Sequence, residues 1–327
     1  MTANENGFAL LKQVPMVLRA RGYRLYTDSG GKSSGAASKR RLIDLWLNGG
    51  AAVLGHTQPD FLREIKNTAS RGLYAPLPHF TEGRFIKALS KLFPGYSFRL
   101  YSAPPSELFA SSGTASKNNI SFWRPFADPS ASFAAPFAVT ENPPDGNAPL
   151  LIPVIPGIQT WRKIAGVELP MGLCVVAASA QQAASQQAAS QQAASQQAVE
   201  DRLSHLPPSD ILPPVLLAAA TRGVHNLIAS PQRATPSLPR TFKTLKEIAL
   251  SELAHSERMP PTARWERKGI YLTRREKLGS KEWEMLFQRF LAEGFLLPPT
   301  PSHPLILPGE LSDGEDAKLA KVLQDRD

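Results

Sequence analysis

The chain has 327 residues, of which 42% are hydrophobic, enough for two domains around a shared core and too apolar for disorder throughout. One cysteine excludes an internal disulfide framework and suits a reducing compartment. The formal charge of +9 is spread along the chain, with Lys39-Arg40-Arg41 its only dense knot, so it predicts a generally basic surface and no nucleic-acid module.

No apolar run approaches the roughly 20 residues a membrane-spanning helix needs. The first residues lack the basic and apolar regions of a signal peptide, so a cytoplasmic protein with no membrane partner is expected. Six scattered histidines give no metal-ligand spacing, and neither a Gly-x-Ser-x-Gly elbow nor a carboxylate pair is present.

Taken in order, Leu10, Leu11, Val14, Val17 and Leu18 predict a short helix leading into a strand at Arg21–Tyr26. Asp28–Gly31 is turn chemistry, residues 32–40 read as a lengthened hairpin loop, and Arg41 onward is the returning strand. Gly31-Lys32-Ser33 matches the end of a phosphate-binding loop, but Tyr26 stands where that motif needs its first glycine and no helix follows. His56, beside a glycine turn, is expected to be a structural hydrogen-bonding residue. Phe61, Leu62, Ile65 and Ala69 give helical spacing over 58–71, and Phe85, Ile86, Leu89 and Leu92 give it over 82–92. Phe98–Tyr101 is then a short strand.

Residues 122–157 are rich in Pro, Ala, Ser, Asp and Gly without a sustained period. Leu150–Ile155 and Leu173–Ala177 read as buried strands of a parallel sheet joined by one short crossover. Cys174 within the second run is expected to be a buried structural thiol. Residues 180–198 repeat an Ala-Ala-Ser-Gln-Gln pentad, which rotates about 140° per copy around a helix and leaves no face consistently apolar. This predicts a solvent-facing insertion spanning 178–200. Residues 216, 217, 220, 224, 227 and 228 define a helix over 215–228, with Pro214 in its first turn. A linker at 230–239 precedes an amphipathic helix at 242–255. The end of the chain reads as a strand at Trp265–Leu272 and a helix with Trp283, Leu286, Phe287, Phe290 and Leu291 on one face. Two strands from Gly294 onward and a closing helix over 317–323 complete it.

Several of these stretches resemble the class-III aminotransferases, pyridoxal-phosphate (PLP) enzymes of fold type I, and within them the glutamate-semialdehyde aminomutases. Arg21–Tyr26, Asp28-Ser29-Gly30, Arg41-Leu42-Ile43-Asp44-Leu45 and Leu54-Gly55-His56-Thr57-Gln58-Pro59 follow the opening pattern of that family in order. Residues 265–272 and 294–316 look like its closing strands and helix. The resemblance covers roughly 8–101 and 242–325, and the stretch 102–241 departs from it. It implies an α/β fold of the PLP-transferase type I class: a segment 1–50 joining the small domain, a shortened and mostly parallel large domain at 51–241, and an α+β small domain at 242–327.

The resemblance also implies what the chemistry would require: a Schiff-base lysine, a carboxylate on the pyridine nitrogen, and a phosphate cup at a helix N-terminus. The cup position falls at Ser102–Glu107, where Pro104 and Pro105 have no N–H to donate. A second Ser-Gly-Thr, at Ser112-Gly113-Thr114, lies ten residues on and reads as a loop or helix cap. No lysine lies between Ile164 and Phe242, and Lys163 is the last before that gap. Glu168 and Asp210 are isolated and read as surface or cap residues. The expectation is therefore a non-catalytic descendant with no catalytic, cofactor-binding or metal residues, acting by binding or assembly as a homodimer or with a protein partner. The alternative is an active PLP-dependent aminotransferase or aminomutase using Lys163 and the 112–114 cup.

Overall fold

The computed structural model describes residues 9–28, 39–109, 120–126, 150–164, 167–179, 203–230 and 265–324. Expectations for the loop at 32–38, for Ser112–Thr114, for the repeat at 180–198 and for the helix at 242–255 lie outside these residues. The chain divides into two compact units, one whose described residues fall mainly within 1–58 and 231–327, the other within 59–125 and 129–230.

In the first unit, β1 (Val17–Arg21), β2 (Arg24–Asp28) and β3 (Lys39–Asp44) form an antiparallel meander. The expected helix before it is one 3-10 turn, Leu10–Gln13, and the expected single strand is two. Gly22 and Tyr23 form a tight turn between them, which period-two patterning alone did not reveal. Alternation sets the faces: Leu25 and Leu42 pair across the sheet and are buried, while Arg19 and Arg21 are exposed.

The stretch at 265–272, expected as one strand, is also a hairpin. Gly269 takes φ 67°, a conformation that favours glycine, and joins β10 (Trp265–Lys268) to β11 (Tyr271–Arg274). Next come α4 (Ser280–Ala292, numbering helices so that α1–α3 are those of the second unit), β12 (Phe295–Leu296), β13 (Leu305–Ile306) and α5 (Asp313–Gln324). β12 pairs in parallel with β3, Phe295 opposite Ile43, so the first and last parts of the sequence share one sheet. β13 joins β11, and the Ile306 N–H donates to Leu45 O at 2.7 Å. The core combines Leu25, Leu42 and Leu45 with Trp283, Phe287, Phe290, Phe295 and Leu319. The one-faced apolar pattern of α4 is thus the pattern of its burial.

Arg40 closes the end of α4 by donating from its guanidinium to Leu291 O at 2.9 Å and to Ala292 O. These are last-turn carbonyls, of which Leu291 O also accepts from the Gly294 N–H at 3.1 Å, and a cation there meets the negative end of the helix dipole. We expect Arg40→Met to lower the unfolding free energy by about 1 kcal/mol, read by urea denaturation. An unchanged midpoint would show that water replaces the guanidinium at no cost.

In the second unit, α1 (Pro59–Ala69) and α2 (Thr81–Leu92) pack on α3 (Pro214–Ala229), and all three agree with the expected spans to within two residues. The sheet runs β4-β9-β6-β5, with β4 (Tyr96–Tyr101), β5 (Ile120–Trp123), β6 (Leu150–Pro153) and β9 (Cys174–Ser179). The α/β class expected from the sequence is the class observed. The local pairing of β6 with β9 is antiparallel, however, not parallel. The reason lies in their connection, which is a hairpin, β7 (Thr160–Ile164) with β8 (Val167–Met171), and not a crossover that would return the chain in the same direction. Among the described strands of this sheet, β5 and β6 form the parallel pair. Val175, Val176 and Ala177 are fully buried, as is Cys174, whose thiol is pushed up to about 12 by that burial. An un-ionised thiol in an apolar core is no nucleophile, in line with the structural role expected for it.

Candidate functional site

The described residues singled out from the sequence fall in three places: the end of β4, the β7–β8 hairpin and the Asp44–His56 pair. The first is the end of β4, where the resemblance puts a phosphate cup. After Tyr101 the chain does not begin a helix of useful length. Ser102–Pro105 is extended or bent, and only a three-residue 3-10 turn, Ser106–Leu108, follows. Pro104 and Pro105 contribute no N–H, so the row of donors that a helix N-terminus aims at an anion does not form.

The donors that remain are engaged. Ser102 N–H and Ser102 Oγ–H both donate to Asp210 Oδ2, at 2.8 and 2.7 Å. Asp210 reaches that position because residues 207–210 run beside β4: its own N–H donates to Leu100 O at 2.8 Å, and Leu100 N–H donates to Ser209 Oγ at 3.1 Å. The Tyr101 hydroxyl donates to Pro207 O at 2.7 Å, and desolvation pushes this phenol up to about 12. Asp210, read from the sequence as a surface or cap residue, is therefore the acceptor at a strand end. Its signal was the rigid Pro207-Pro208-Ser209 run that precedes it, which has no distinctive period.

Lys163 lies elsewhere in the same unit. It is exposed, on β7, directly opposite Glu168 on β8. The residues described at the strand end and on the hairpin do not fit PLP. The row of N–H donors of a helix N-terminus is missing, and Lys163 is exposed.

The third place is in the first unit. His56 Nε2 bonds Asp44 Oδ2 at 2.8 Å, and Asp44 Oδ1 accepts from the N–H groups of Trp46 and Leu47 at 2.8 and 2.9 Å. Asp44 is 2% exposed, so three hydrogen bonds meet the cost of burying its carboxylate. What it holds is a left-handed stretch, with φ 46° at Leu47, 50° at Asn48 and 65° at Gly49. For non-glycine residues that conformation costs roughly 1–2 kcal/mol each, which the Asp44 clamp and the burial of Leu47 offset. Gly55 comes next because its backbone passes close to Gly22. A Cβ there would sit 3.3 Å from Gly22 Cα and O, and the approach lets His56 N–H donate to Gly22 O at 2.8 Å.

Beside the pair opens a cavity of about 300 Å³ lined by Leu11, Val14, Val17, Leu25 and Leu296 together with Trp46. Among the described residues, those lining it include no serine, cysteine or lysine for the Asp44–His56 pair to orient. His56 takes the hydrogen-bonding role expected of it. Asp44, its partner, was not singled out as a site residue, although its place twelve residues before His56 in the opening pattern was visible.

Among the described residues no group of three or more His, Cys, Asp or Glu side chains could hold a metal ion, and no helix is long and apolar enough to cross a membrane. No family model matches the chain. A protein of Treponema pallidum (strain Nichols), itself described as uncharacterized, is 25% identical over 321 residues, 91% of either chain. Among solved structures, an omega-transaminase from Sphaerobacter thermophilus superposes with a TM-score of 0.54 at 12% identity, covering 95% of this chain and 90% of that one. An ornithine aminotransferase from Plasmodium yoelii does so with a TM-score of 0.54 at 12% identity, covering 95% of this chain and 92% of that one. At such identities the likeness is one of backbone course, and it agrees with the element order and the strand–helix pattern of both units. The chain has the fold of the class-III, PLP-dependent aminotransferases.

Proposed function

We propose that this chain is a non-catalytic descendant of the PLP-dependent aminotransferase fold, acting by binding or assembly in the cytoplasm, as a homodimer or with a protein partner. The observation that carries the reading is the state of the lysines. None occurs between Ile164 and Phe242, and Lys163, the last before that gap, is exposed on a hairpin opposite Glu168. A Schiff-base lysine needs an enclosed position from which its amine meets the cofactor aldehyde, and an exposed hairpin offers none. The assembly part draws support from Tyr74, Leu77 and Phe80, three large apolar side chains half-exposed or more within seven residues.

The test is incubation of the purified chain with pyridoxal phosphate, followed by borohydride reduction and peptide mapping. We expect no visible aldimine, no reduced adduct confined to one lysine and no rise in the unfolding temperature. A single trapped peptide, above all one containing Lys163, would restore an active enzyme with a relocated nucleophile. Mass measurement in solution, compared with a Tyr74→Ser, Phe80→Ser double variant, tests assembly. A monomer in both would remove that part.

A further inference from the structure

Trp46 carries a polar group that the fold does not use. Its indole nitrogen is enclosed by protein and has no hydrogen-bond partner in the chain. Folded chains rarely leave a buried donor so, and one left over on a cavity wall is a recognition group for an acceptor. Trp46 lines the cavity of about 300 Å³ beside the Asp44–His56 pair, a volume at the low end for small-molecule pockets.

The backbone next to it is held against its preference. Among the described non-glycine residues, φ is positive at Leu47, Asn48 and Phe126. The first two follow Trp46 directly, and Asn48 lines the cavity. Asp44 keeps them there through the N–H groups of Trp46 and Leu47, while its other oxygen meets His56 Nε2. Strain maintained by a buried carboxylate with three hydrogen bonds is the kind that shapes a binding wall in advance.

We propose that this cavity binds a small neutral molecule with a hydrocarbon body and one hydroxyl or carbonyl end. Leu11, Val14, Leu25 and Leu296 supply the apolar wall, and the Trp46 N–H donates to the ligand oxygen. His56 offers the complementary group. With its Nε2–H directed to the Asp44 carboxylate, its Nδ1 is an acceptor to which a ligand hydroxyl donates. The charge of the ligand follows from the lining. The described residues around the cavity include no lysine or arginine, and Asp44 already places a negative charge there. A carboxylate end would lose its water and gain no counter-charge. The cavity belongs wholly to the first unit and owes nothing to the state of the lysines.

The indole N–H is itself the reporter. Isotope-labelled tryptophan gives five indole N–H resonances, one per tryptophan, and Trp46→Phe identifies the one that belongs to Trp46. Titration of the whole chain with 1-hexanol is expected to move that resonance to a limit, half-complete on the order of a millimolar, while the others stay put. Hexanoate, the same body with a charged end, should bind at least about tenfold more weakly at neutral pH. Val14→Phe, which fills the apolar wall, should abolish the response to hexanol. A Trp46 resonance that hexanol does not saturate overturns the proposal. An equal response to hexanoate overturns it too, and so does an undiminished response in Val14→Phe, which would put binding elsewhere. If either variant is not recovered folded, titration calorimetry of the wild-type chain decides. Hexanol should then give saturable heat and outcompete hexanoate by the same margin, and no heat or equal affinities overturn the proposal. A trapped aldimine in the lysine test leaves this site as it is, and failure of hexanol to bind leaves the non-catalytic reading as it is.

Discussion

Replacing Gly223 by alanine is expected to cost 3 kcal/mol or more, the largest effect of any one-methyl change proposed for this chain. Gly223 lies in the middle of α3, where glycine would ordinarily be a liability of about 1 kcal/mol relative to alanine. Its retention follows from what faces it. A Cβ built there would stand 2.0 Å from Pro156 O, 2.9 Å from Pro156 C and 3.3 Å from Pro156 Cβ. Two of those atoms are backbone, in the turn after β6, and backbone cannot swing aside as the tip of a long side chain can. Either α3 retreats from a core that includes Leu217, Ala220 and Val224, or the 154–157 turn is displaced from its bond between Val154 N–H and Trp123 O. Overpacking typically costs 1–3 kcal/mol, and a carbonyl contact this short belongs at or above the top of that range. Urea denaturation followed by tryptophan fluorescence measures it. A loss under 1 kcal/mol would mean that the helix and the turn separate freely, and that the close packing of α3 is not what holds it.

Glu315→Gln should be nearly as damaging and should carry a pH signature. The Glu315 carboxylate accepts from Arg24 Nε and Nη2 at 3.0 and 2.6 Å, meets Arg41 at 2.9 Å, and accepts from the Ser312 N–H at 2.9 Å. Its own N–H faces Ser312 Oγ at 3.4 Å, a reciprocal cap on the first turn of α5. Its hydrogen bond with Arg24 is the leading cause that moves this acid from 4.5 down to about 2. A folded value below the unfolded one contributes stability that is complete above 4.5 and is lost as pH falls from there toward 2. The full shift corresponds to about 3 kcal/mol, and half-exposed Arg41 lets solvent screen part of it, so we expect about 2–3 kcal/mol at pH 7. The difference between wild type and Glu315→Gln, measured by denaturation across pH 7 to 2, should shrink steadily below pH 4.5. A constant difference would assign the effect to geometry alone.

The sequence disclosed the fold where physics is local. Helical spacing found α1, α2, α3 and α4 because each buries one face, and the turn residues after Arg24–Asp28 marked where the chain reverses before the strand that includes Arg41–Asp44. It failed where pairing is settled at a distance. Leu150–Ile155 and Leu173–Ala177 look alike as apolar runs, and only the β7–β8 hairpin between them decides that they lie antiparallel. The same limit governed the site. Lys163 was legible as the last lysine before a gap, but its exposure was not. Ser102 and Asp210 are 108 residues apart, and nothing periodic links them. His56 announced itself beside a glycine, while Asp44 belongs to a buried strand and shows its role only through the backbone it clamps.

The pairing of β12 with β3 joins residues 295–296 to residues 43–44. A ribosome that has made the first sixty residues has therefore made strands with no core to settle on. The second unit, complete by Ser230, is available to fold while Trp283, Phe287 and Phe295 are still unmade. Until they emerge, the arginine-bearing meander waits with its apolar face uncovered, and its closure must span some 250 residues of chain, a slow step for any sheet. Arg19 and Arg21, exposed on the edge strand β1, are the kind of charge that discourages an uncovered edge from pairing with another chain.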